Sequence, residues 1–432
     1  MLEAIKKGGI QVALSALFMG LGQLCQRQVG KGLTYLFLHI SALWFFLRYG
    51  AVMLRGFITL GERRANPTLN IEGDNSVVML IMGLFAIIVL IGYLLLYAAN
   101  IKDAYNTQTL IAAGKKPLRF SAELKSLADK NFYRSALFLP ILGVCVFSVI
   151  PIVFMILVAF TDFGGNTVPP ELVSWTGMDS FFRILTLQQF APTFFMILNW
   201  NVIWAVCATA LNYFGGLGLA LLLNKKCVKG KLIWRAFPIL AFAIPGFINL
   251  LAFKFMFSYG GPLNQMIINA GYSPIGFLDL DAKWMARIIG LLINAWLAIP
   301  SSMLLAAGIL SNMSKDFSEA AKIDGASAFQ IFRAITLPFV LFATVPVLIS
   351  QFIMNFNNFG IFFFLRGGLY IDGYFLASDT DLLINWLYNL TIDNNYYSIG
   401  AAVSVVIFII TSIISLTVYV LSPSYRQEDQ FK

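Results

Sequence analysis

Amide and hydroxyl side chains recur at helical spacing inside two long apolar segments of the sequence. In "LISQFIMNFNNFG", Gln351, Asn355 and Asn358 occupy positions i, i+4 and i+7, which places all three on one face of an α-helix. The second segment, "LLINAWLAIPSSM", has the same spacing at Asn294, Ala298 and Ser301. Amides in apolar surroundings are unfavourable without hydrogen-bond partners, so both faces are expected to point toward protein or water.

Two interpretations of these faces follow from the residue types. The amides could bond to one another and hold helices together, each bond contributing less than about 2 kcal/mol. They could instead line a polar pathway, because amides pair with hydroxyl groups and aromatic rings cover the apolar face of a sugar. Rings near the amides are Trp296, Phe352, Phe356 and Phe359. The centres of both segments lack charged residues, which favours an uncharged, polyhydroxylated solute over an ion.

A charged, turn-containing stretch, "EAAKIDGASAFQIFRAITLP", lies between the two segments at residues 319–338. Asp316 and Glu319 fit a capping box, with Asp316 as the N-cap of a short helix that ends near Ile323. Gly325 supplies the left-handed residue that terminates this helix. The stretch therefore predicts a short helix followed by a turn.

A second helix is predicted directly after the turn. Ser327 and Gln330 form another capping box, and Leu337-Pro338 stops or kinks the helix where the apolar sequence resumes. The pattern indicates a helix–turn–helix hairpin. Its small side chains allow another backbone to approach closely: Ala320, Ala321, Gly325 and Ala326.

The composition indicates which elements position these residues. Hydrophobic residues make up 59% of the 432 residues and charged residues 12%, whereas soluble domains are about half apolar and a quarter charged. We therefore predict an all-α integral membrane protein, because about 20 apolar residues cross the hydrocarbon as a helix. Eight spans are predicted, at 33–55, 77–99, 136–160, 196–223, 236–258, 285–311, 339–365 and 399–421. Residues 9–25 are predicted to form a further helix, in the membrane plane or partly inserted.

The distribution of charge predicts the orientation of these spans. With both termini inside, the inner segments hold 21 of the 30 Lys and Arg residues, while 12 of the 21 acids lie outside. Lys and Arg favour the cytoplasmic side, so the termini and residues 312–338 are predicted to be cytoplasmic. The net charge of +9 is therefore attributed to membrane topology rather than to nucleic-acid binding.

Few residues are suited to catalysis or to metal binding. The four cysteines are scattered without a CxxC pair, and His39 is the single histidine. "AAGKKP" at 112–117 lacks the first glycine and the hydroxyl of a phosphate-binding loop. We predict that the chain has no catalytic residues, binds no metal and no cofactor, and has no ATPase site of its own.

The hairpin sequence resembles the EAA loop of permease subunits in binding-protein-dependent ABC importers. The matching positions are Glu319, Ala320, Ala321, Gly325, Ile335, Leu337 and Pro338. In that family the loop is a coupling helix that docks on the ATPase subunit. The resemblance implies the type I importer permease fold, with ATP and Mg²⁺ bound on partner ATPase subunits.

Residues from about 135 to 425 are similar to the larger membrane subunit of maltose/maltodextrin importers, through "NAWLAIP", the EAA loop, "NFNNFG" and "TDLLINWLYNL". The resemblance implies a sugar pathway lined by Asn294, Leu297, Ala298, Ser301, Gln351, Met354, Asn355 and Asn358. Four positions differ from the best-known member, in which Ala298 is a glycine, Ser301 a tyrosine, Gln351 a serine and Met354 a phenylalanine. At Ser301 and Met354 the chain therefore lacks two aromatic rings on which a sugar could stack. Their absence affects which sugar is bound and leaves the predicted importer class unchanged.

The resemblance also implies a domain order and a set of partners. The predicted order is a cytoplasmic segment (1–32), two additional transmembrane helices (33–99), a basic cytoplasmic linker (100–135), a six-helix permease core (136–421) with the EAA loop at 312–338, and a cytoplasmic tail (422–432). The expected partners are a second homologous permease chain, two ATPase subunits and an extracellular sugar-binding protein. The short outer loop 161–195 resembles that of Gram-positive subunits, whose binding protein is a lipoprotein.

Maltodextrin import into a bacterial cell through the plasma membrane is thus the leading hypothesis. A permease for galacto-oligosaccharides or raffinose-type sugars is the alternative within the class, and one for glycerol phosphate would want basic residues in the pathway. An ion-coupled secondary transporter would want intramembrane acids or bases and no docking loop.

Substitutions in the hairpin test the coupling role. Glu319→Lys or Gly325→Pro is expected to leave membrane insertion intact and to abolish transport and transport-coupled ATP hydrolysis, because the docking surface is altered. Uptake and ATPase rates of the assembled importer measure this, with Glu72→Lys in the outer loop as the charge-matched control. Wild-type transport by either hairpin variant would contradict the docking role.

Overall fold

The computed structural model describes residues 8–65, 72–117, 120–225 and 227–421. Helices form nearly all of the regular structure in these ranges, and the strand-like pairings among them are two isolated bridges, Thr161–Trp175 and Gly164–Thr167. The predicted all-α class is confirmed. The predicted tail, 422–432, lies outside the described residues.

The chain divides into two compact units, Met1–Gly177 and Met178–Lys432. The helices of the first unit are α1 (Ile10–Leu17), α2 (Leu21–Cys25), α3 (Val29–Thr59), α4 (Ser76–Ala112), α5 (Phe120–Ala128) and α6 (Ser135–Val158). Those of the second are α7 (Asp179–Thr186), α8 (Ala191–Asn224), α9 (Lys231–Ala243), α10 (Gly246–Met256), α11 (Pro262–Asn269), α12 (Lys283–Asn312), α13 (Lys315–Ile323), α14 (Ala328–Ile331), α15 (Leu337–Phe356), α16 (Gly360–Arg366), α17 (Leu383–Tyr388) and α18 (Tyr397–Leu421). The functional division predicted from the sequence is not tested by these two units and stays a prediction.

Seven helices within the described ranges are long and apolar enough to cross a membrane: α3, α4, α6, α8, α12, the combined segment Ala328–Arg366, and α18. The predicted span 236–258 is not one helix, because α9 and α10 are bent by 83° at Ile244 and Pro245. Pro245 has no N–H with which to continue the hydrogen bonds of α9. Counted as one broken span, the pair brings the number to the eight predicted.

Much of the predicted linker 100–135 is helical among its described residues. α4 has 37 residues and continues to Ala112, well past the predicted span end at residue 99. Ile101 and Ala104 are fully buried and pack with Val12 of α1, so tertiary contacts stabilise the helix beyond its apolar stretch.

The predicted helix at 9–25 is two short helices, α1 and α2. They have 8 and 5 residues, so neither can cross the membrane. Gly20 makes the turn between them with φ +92°, and a Cβ there would lie 2.2 Å from the carbonyl oxygen of Gly32. A glycine is required at this position for both reasons.

Asn100 of α4 stabilises this turn through hydrogen bonds of its side chain. The N–H of Gly20 donates to Asn100 Oδ1 over 3.2 Å, and Asn100 Nδ2 donates to the carbonyl oxygen of Ser15 over 3.2 Å. Gln23 Nε2 donates to the carbonyl oxygen of Asn100 over 3.1 Å. One fully buried amide therefore satisfies both ends of the turn.

In the second unit, α8 and α12 pack at close range along their length. A Cβ on Gly216 would lie 2.4 Å from Ser302 Cβ, so the helices can approach this closely only with glycine at that position. Nearer the start of α8, Trp204 packs edge-on against Phe362 with 4.9 Å between ring centroids. The guanidinium of Arg287 lies 3.9 Å from the ring centroid of Trp200.

Removing the Asn100 side chain tests how the N-terminal turn is held. Asn100→Ala leaves a buried N–H and a buried carbonyl without partners, which is expected to cost about 1–3 kcal/mol. The thermal unfolding temperature of the purified protein should fall by several degrees. Asn106→Ala, on the exposed side of the same helix, is the matched control. Equal shifts for the two variants would show that the buried amide has no special stabilising role.

Candidate functional site

The apolar segment that carries the amide stripe is interrupted at residues 357–359. α15 ends at Phe356 and α16 begins at Gly360, so carbonyl groups near the break lose their regular helical partners. Side chains of neighbouring helices donate to these oxygens: Trp204 Nε1 to Asn355 O (3.1 Å), Asn201 Nδ2 to Phe356 O (3.1 Å) and Asn385 Nδ2 to Phe359 O (2.8 Å). Three carbonyl oxygens at the break therefore accept from side chains of neighbouring helices, which reduces the number of unpaired backbone groups in a non-helical segment at membrane depth.

The break brings the predicted amides together. Asn294 Nδ2 donates to Asn355 Oδ1 over 3.3 Å, and Asn358 Nδ2 donates to Asn294 Oδ1 over 3.1 Å. Asn355 Nδ2 donates to Thr209 Oγ1 over 3.0 Å. Helices α8, α12 and α15 thus meet at the side chain of Asn355. We call Asn294, Asn355, Asn358 and Thr209 the amide network.

The predicted helical stripe is wrong for one of its three members. Asn358 lies in the break, beyond the end of α15, so the i+7 spacing of a continuous helix does not position it. Its Oδ1 accepts a hydrogen bond from the N–H of Ile361 over 3.3 Å and caps the start of α16. The turn of the chain, rather than helical periodicity, brings Asn358 to Asn294.

Four other predicted pathway residues lie on a more open face. Met354 is 72% exposed and Ser301 is exposed, whereas Leu297 and Ala298 are half-buried. Ser301 Oγ donates to the carbonyl oxygen of Ala298 over 2.8 Å. None of these four side chains hydrogen-bonds to the amide network among the described residues.

Gln351 offers a hydrogen-bond acceptor to a ligand. Its Nε2 donates to Ser302 Oγ over 3.1 Å, while its buried Oε1 has no hydrogen-bond partner among the residues that the structure describes. An unpartnered buried acceptor carries a free-energy cost that a hydroxyl donor from a ligand would remove.

The aromatic rings near the amides differ in accessibility. Phe356 is fully buried, with its ring centroid 6.0 Å from that of Phe352, so its face is closed to a ligand. Phe359 stacks on Phe363 with 4.4 Å between centroids. Trp296 is 44% exposed and presents the more open ring.

Four residues that hold the site were not predicted: Asn201, Trp204, Thr209 and Asn385. Asn201 and Thr209 carry the signal used for the other amides, a polar residue within an apolar span. Asn385 lies in "TDLLINWLYNL", where its polarity alone gives no distance to the site. Trp204 gives no signal, since an indole in a membrane helix is compatible with many positions.

The hairpin between α12 and α15 agrees with the prediction at its turn and differs at its start. The N-cap of α13 is Ser314, whose Oγ accepts from the N–H of Asp316 over 3.2 Å, so the predicted cap at Asp316 is wrong. Asp316 lies in the first turn instead, where a carboxylate interacts favourably with the helix dipole. Gly325 adopts φ +83°, as predicted.

The second half of the hairpin begins as predicted and continues further. Ser327 and Gln330 form the capping box at the start of α14. Leu337-Pro338 is predicted to stop or kink this helix. The stop is wrong, because a π-helical turn at Phe332–Thr336 connects α14 to α15 and Pro338 lies in the first turn of α15, and the kink stays a prediction. The wider turn accommodates a proline that a regular α-turn would exclude.

The hairpin presents apolar side chains away from the protein. Phe317, Ile323 and Phe329 are 62%, 87% and 69% exposed. Among the predicted coupling residues, Glu319, Ala320, Gly325 and Pro338 are exposed, and Ala321, Ile335 and Leu337 are half-buried. Exposed apolar residues grouped on one short segment mark an interaction surface.

The opposite ends of α15–α16 and α12 carry a buried ionic cluster. Arg366 Nη1 lies 2.8 Å from Asp379 Oδ1, and the Arg366 side chain is fully buried. Arg287 Nε donates to the carbonyl oxygen of Asp379 over 3.2 Å. These contacts hold the loop after α16 against the two helices.

Asp381 in the same loop is buried beside polar groups. The N–H of Ser378 and Asn389 Nδ2 donate to its Oδ2 over 2.9 and 3.3 Å. Burial raises the pKa of Asp381 to about 6, and these hydrogen bonds and the charge of Arg366 oppose the rise only in part.

Comparison with known proteins gives a consistent assignment. Residues 216–427 match the model of the family "Binding-protein-dependent transport system inner membrane component". The chain is 34% identical over 430 residues to the maltodextrin transport system permease protein MalC of Streptococcus pneumoniae, covering 97% of each protein. It is also 34% identical to the galactooligosaccharides transport system permease protein GanP of Bacillus subtilis, over 97% of this chain and 99% of that protein.

A solved structure supports the fold. A chain of a bacterial ABC transporter involved in the import of the acidic polysaccharide alginate superposes with a TM-score of 0.56. The two are 19% identical, and the alignment covers 71% of this chain and 99% of that one. The predicted permease fold of a type I ABC importer is confirmed.

The buried carboxyl of Asp381 predicts a pH dependence of stability. Its pKa is about 6 in the folded protein against an ordinary 3.8, so between these values the folded state holds a proton that the unfolded state releases. Stability should therefore fall as pH rises from about 4 to about 6, by about 3 kcal/mol for this group.

Asp381→Asn keeps a neutral, hydrogen-bonding side chain and should remove that dependence. Thermal unfolding of the purified protein from pH 4 to pH 8 measures it, with Asp281→Asn, an exposed acid on the same side of the protein, as the control. An unchanged pH profile for Asp381→Asn would contradict the assignment.

Proposed function

This chain belongs to the family of binding-protein-dependent transport system inner membrane components, and from that premise we propose that it is the pore-forming permease subunit of an ATP-driven importer of neutral oligosaccharides, above all maltodextrins. The observation that carries the proposal is the likeness, over nearly the whole chain, to permeases named for oligosaccharide transport. A carrier driven by an ion gradient is set aside, because family members work with a binding protein.

The chemistry of the amide network supports a neutral sugar. Residues 288–312 and 337–365 contain no charged residue, so a phosphorylated or acidic solute would find no counter-charge along these helices. The amides of Asn294 and Asn358 exchange hydrogen bonds as donors and acceptors, and sugar hydroxyls do the same. The hydrogen bonds among the amides can therefore be replaced by hydrogen bonds to the hydroxyl groups of a sugar.

The open residues suggest where the second half of the pathway lies. Ser301 and Met354 are exposed, and the acceptor Gln351 Oε1 has no hydrogen-bond partner among the described residues. A second, homologous permease chain would cover this face and enclose the sugar. The eight residues at positions 294, 297, 298, 301, 351, 354, 355 and 358 then form this chain's half of the pathway.

A galacto-oligosaccharide is the second candidate substrate. The GanP relative is as similar to this chain as the MalC relative, at 34% identity each. Ser301 and Met354 differ from the family's aromatic residues, and these positions would set the ring contacts that distinguish one sugar from another.

The hairpin is the surface through which ATP hydrolysis would act. Phe317, Ile323 and Phe329 are exposed apolar residues that an ATPase subunit could bury, and Glu319 is exposed beside them. Each of two permease chains would engage one of two ATPase subunits, which bind ATP and Mg²⁺. Closure of the ATPase pair would then move the hairpins and turn the pathway outward to receive sugar.

The orientation follows from this partner. A hairpin that meets a cytoplasmic ATPase places both termini in the cytoplasm, in agreement with the excess of Lys and Arg in the inner segments. Sugar would arrive on the outer face from a binding protein, anchored to the bacterial membrane as a lipoprotein.

Uptake of labelled maltotriose tests the proposal. Cells with and without this chain are compared, with unlabelled maltose, raffinose or a β-galacto-oligosaccharide as competitors. Uptake should require the chain, and only α-1,4-glucans should compete. Uptake that persists without the chain would contradict the proposal, and competition by the galacto-oligosaccharide would favour the second candidate.

Neighbouring asparagines provide a matched pair of variants. Asn358→Ala removes an amide of the network and should raise the KM for uptake about tenfold, the effect of losing roughly 1.4 kcal/mol of binding. Asn357→Ala changes an exposed amide in the same break and should have little effect. Equal KM values for the two variants would exclude the amide network as the sugar site.

A further inference from the structure

A polar cleft lies at the end of the second unit opposite the hairpin. It has a volume of about 400 Å³, within the range of small-molecule sites, and lies between the start of α8 and the loop after α16. The side chains that characterise it are Gln188, Gln189, Tyr370, Asp372 and Tyr374. No residue of the cleft belongs to the amide network, so the two are separate sites.

The position of the cleft follows from the order of the spans. The hairpin connects the end of α12 to the start of α15, whereas residues 367–396 connect the far end of that span to α18. The hairpin and the cleft therefore lie on opposite sides of the membrane. If the hairpin meets a cytoplasmic ATPase, the cleft opens to the outside.

The lining of the cleft suits a neutral saccharide. Two tyrosine rings can cover the apolar faces of sugar units, and two amides and a carboxylate can bond to hydroxyl groups. The lining contains no Lys or Arg. Arg287 interacts electrostatically with Tyr374, but its guanidinium already donates to the carbonyl oxygen of Asp379 and stacks on Trp200. An apolar ligand would leave the amides and the carboxylate without partners.

Hydrogen bonds to the backbone of Phe375 and Leu376 hold the loop that lines the cleft in place. Thr193 Oγ1 accepts from the N–H of Phe375 over 2.8 Å, and Trp386 Nε1 donates to the carbonyl oxygen of Phe375 over 2.8 Å. Asn389 Nδ2 donates over 3.0 Å to the carbonyl oxygen of Leu376, which has a left-handed φ of +52°. A strained backbone fixed by several hydrogen bonds is typical of a preorganised binding surface.

We propose that this cleft is an outer saccharide subsite, which binds one end of an oligosaccharide as it enters the pathway from the binding protein. The inference rests on the proposed function and adds to it a site for the sugar outside the membrane. A sugar that spans both sites would be held at one end by Tyr370 and Tyr374 before the other end reaches the amide network. A longer oligosaccharide gains more from the two sites than a disaccharide does, because it has more sugar units to place in them.

The test is transport by the complete importer in proteoliposomes, with the binding protein supplied on the outside. Tyr370→Ala and Tyr374→Ala should each raise the KM for maltohexaose about three- to tenfold, the effect of losing one ring contact, and should leave kcat unchanged. Tyr370→Phe, which keeps the ring, should behave as wild type. Tyr272→Ala, a highly exposed tyrosine on the same side of the membrane, is the control.

Two further comparisons decide the interpretation. The KM for maltose should change less than the KM for maltohexaose in the same variants, because the shorter sugar has fewer units to place outside the amide network. The affinity of the sugar-free binding protein for the importer should also be unchanged. Weaker docking of the sugar-free protein would show that the cleft holds a protein side chain, and would overturn the proposal. Transport of maltohexaose with an unchanged KM would overturn it as well, while leaving the proposed function in place. A wild-type importer that moves no neutral oligosaccharide would overturn both.

Discussion

The backbone carbonyls of Asn355 and Phe356 lose their regular helical partners where α15 ends and must find hydrogen-bond donors at membrane depth, and the arrangement of the second unit depends on this constraint. Asn201 and Trp204 supply donors from α8, and Asn385 supplies one from α17. Each donor comes from an element far away in the sequence, so the break can form only after α8 and α17 have packed against it. An unpaired carbonyl in hydrocarbon would cost several kcal/mol, which makes this packing obligatory.

The same stretch of α8 also bonds to the loop after α16. Asn201 Oδ1 accepts from the N–H of Leu383 over 2.9 Å, and Trp200 Nε1 donates to the carbonyl oxygen of Thr380 over 3.1 Å. One turn of α8 therefore supports the helix break on one side and the loop after α16 on the other. The buried pair of Arg366 and Asp379 completes this support. Removing one partner of such a buried pair is strongly destabilising, because the other charge is left buried without a counter-charge. The pair therefore also restricts how the loop can be rearranged.

The apolar segment Ala328–Arg366 links the two ends of the unit. It begins in the hairpin, passes through the π turn, and carries Gln351 and Asn355 before the break. α15 has 20 residues and contains Pro346, which removes one helical hydrogen bond between the hairpin and the amide network. At the break that follows α15, the side chains of Asn355 and Asn358 both bond to Asn294 of α12, so the end of this segment is tied to a neighbouring helix. The segment therefore joins the hairpin to the amide network through one continuous stretch of chain.

The sequence by itself determined the membrane class, the hairpin and its left-handed Gly325. It also determined the number of spans, which is eight when the bent pair α9 and α10 is counted as one span. These features depend on local composition and local hydrogen bonds, which a single stretch of sequence contains. It also identified Asn294, Asn355 and Asn358, because amides inside apolar spans require partners. Tertiary structure alone decided which partners those are. Contacts between residues far apart in the chain decided four features, because no local pattern encodes the distances between such residues. These are the interruption at 357–359, the capping donors on α8 and α17, the extension of α4 to Ala112, and the hydrogen bonds that support the cleft after α16.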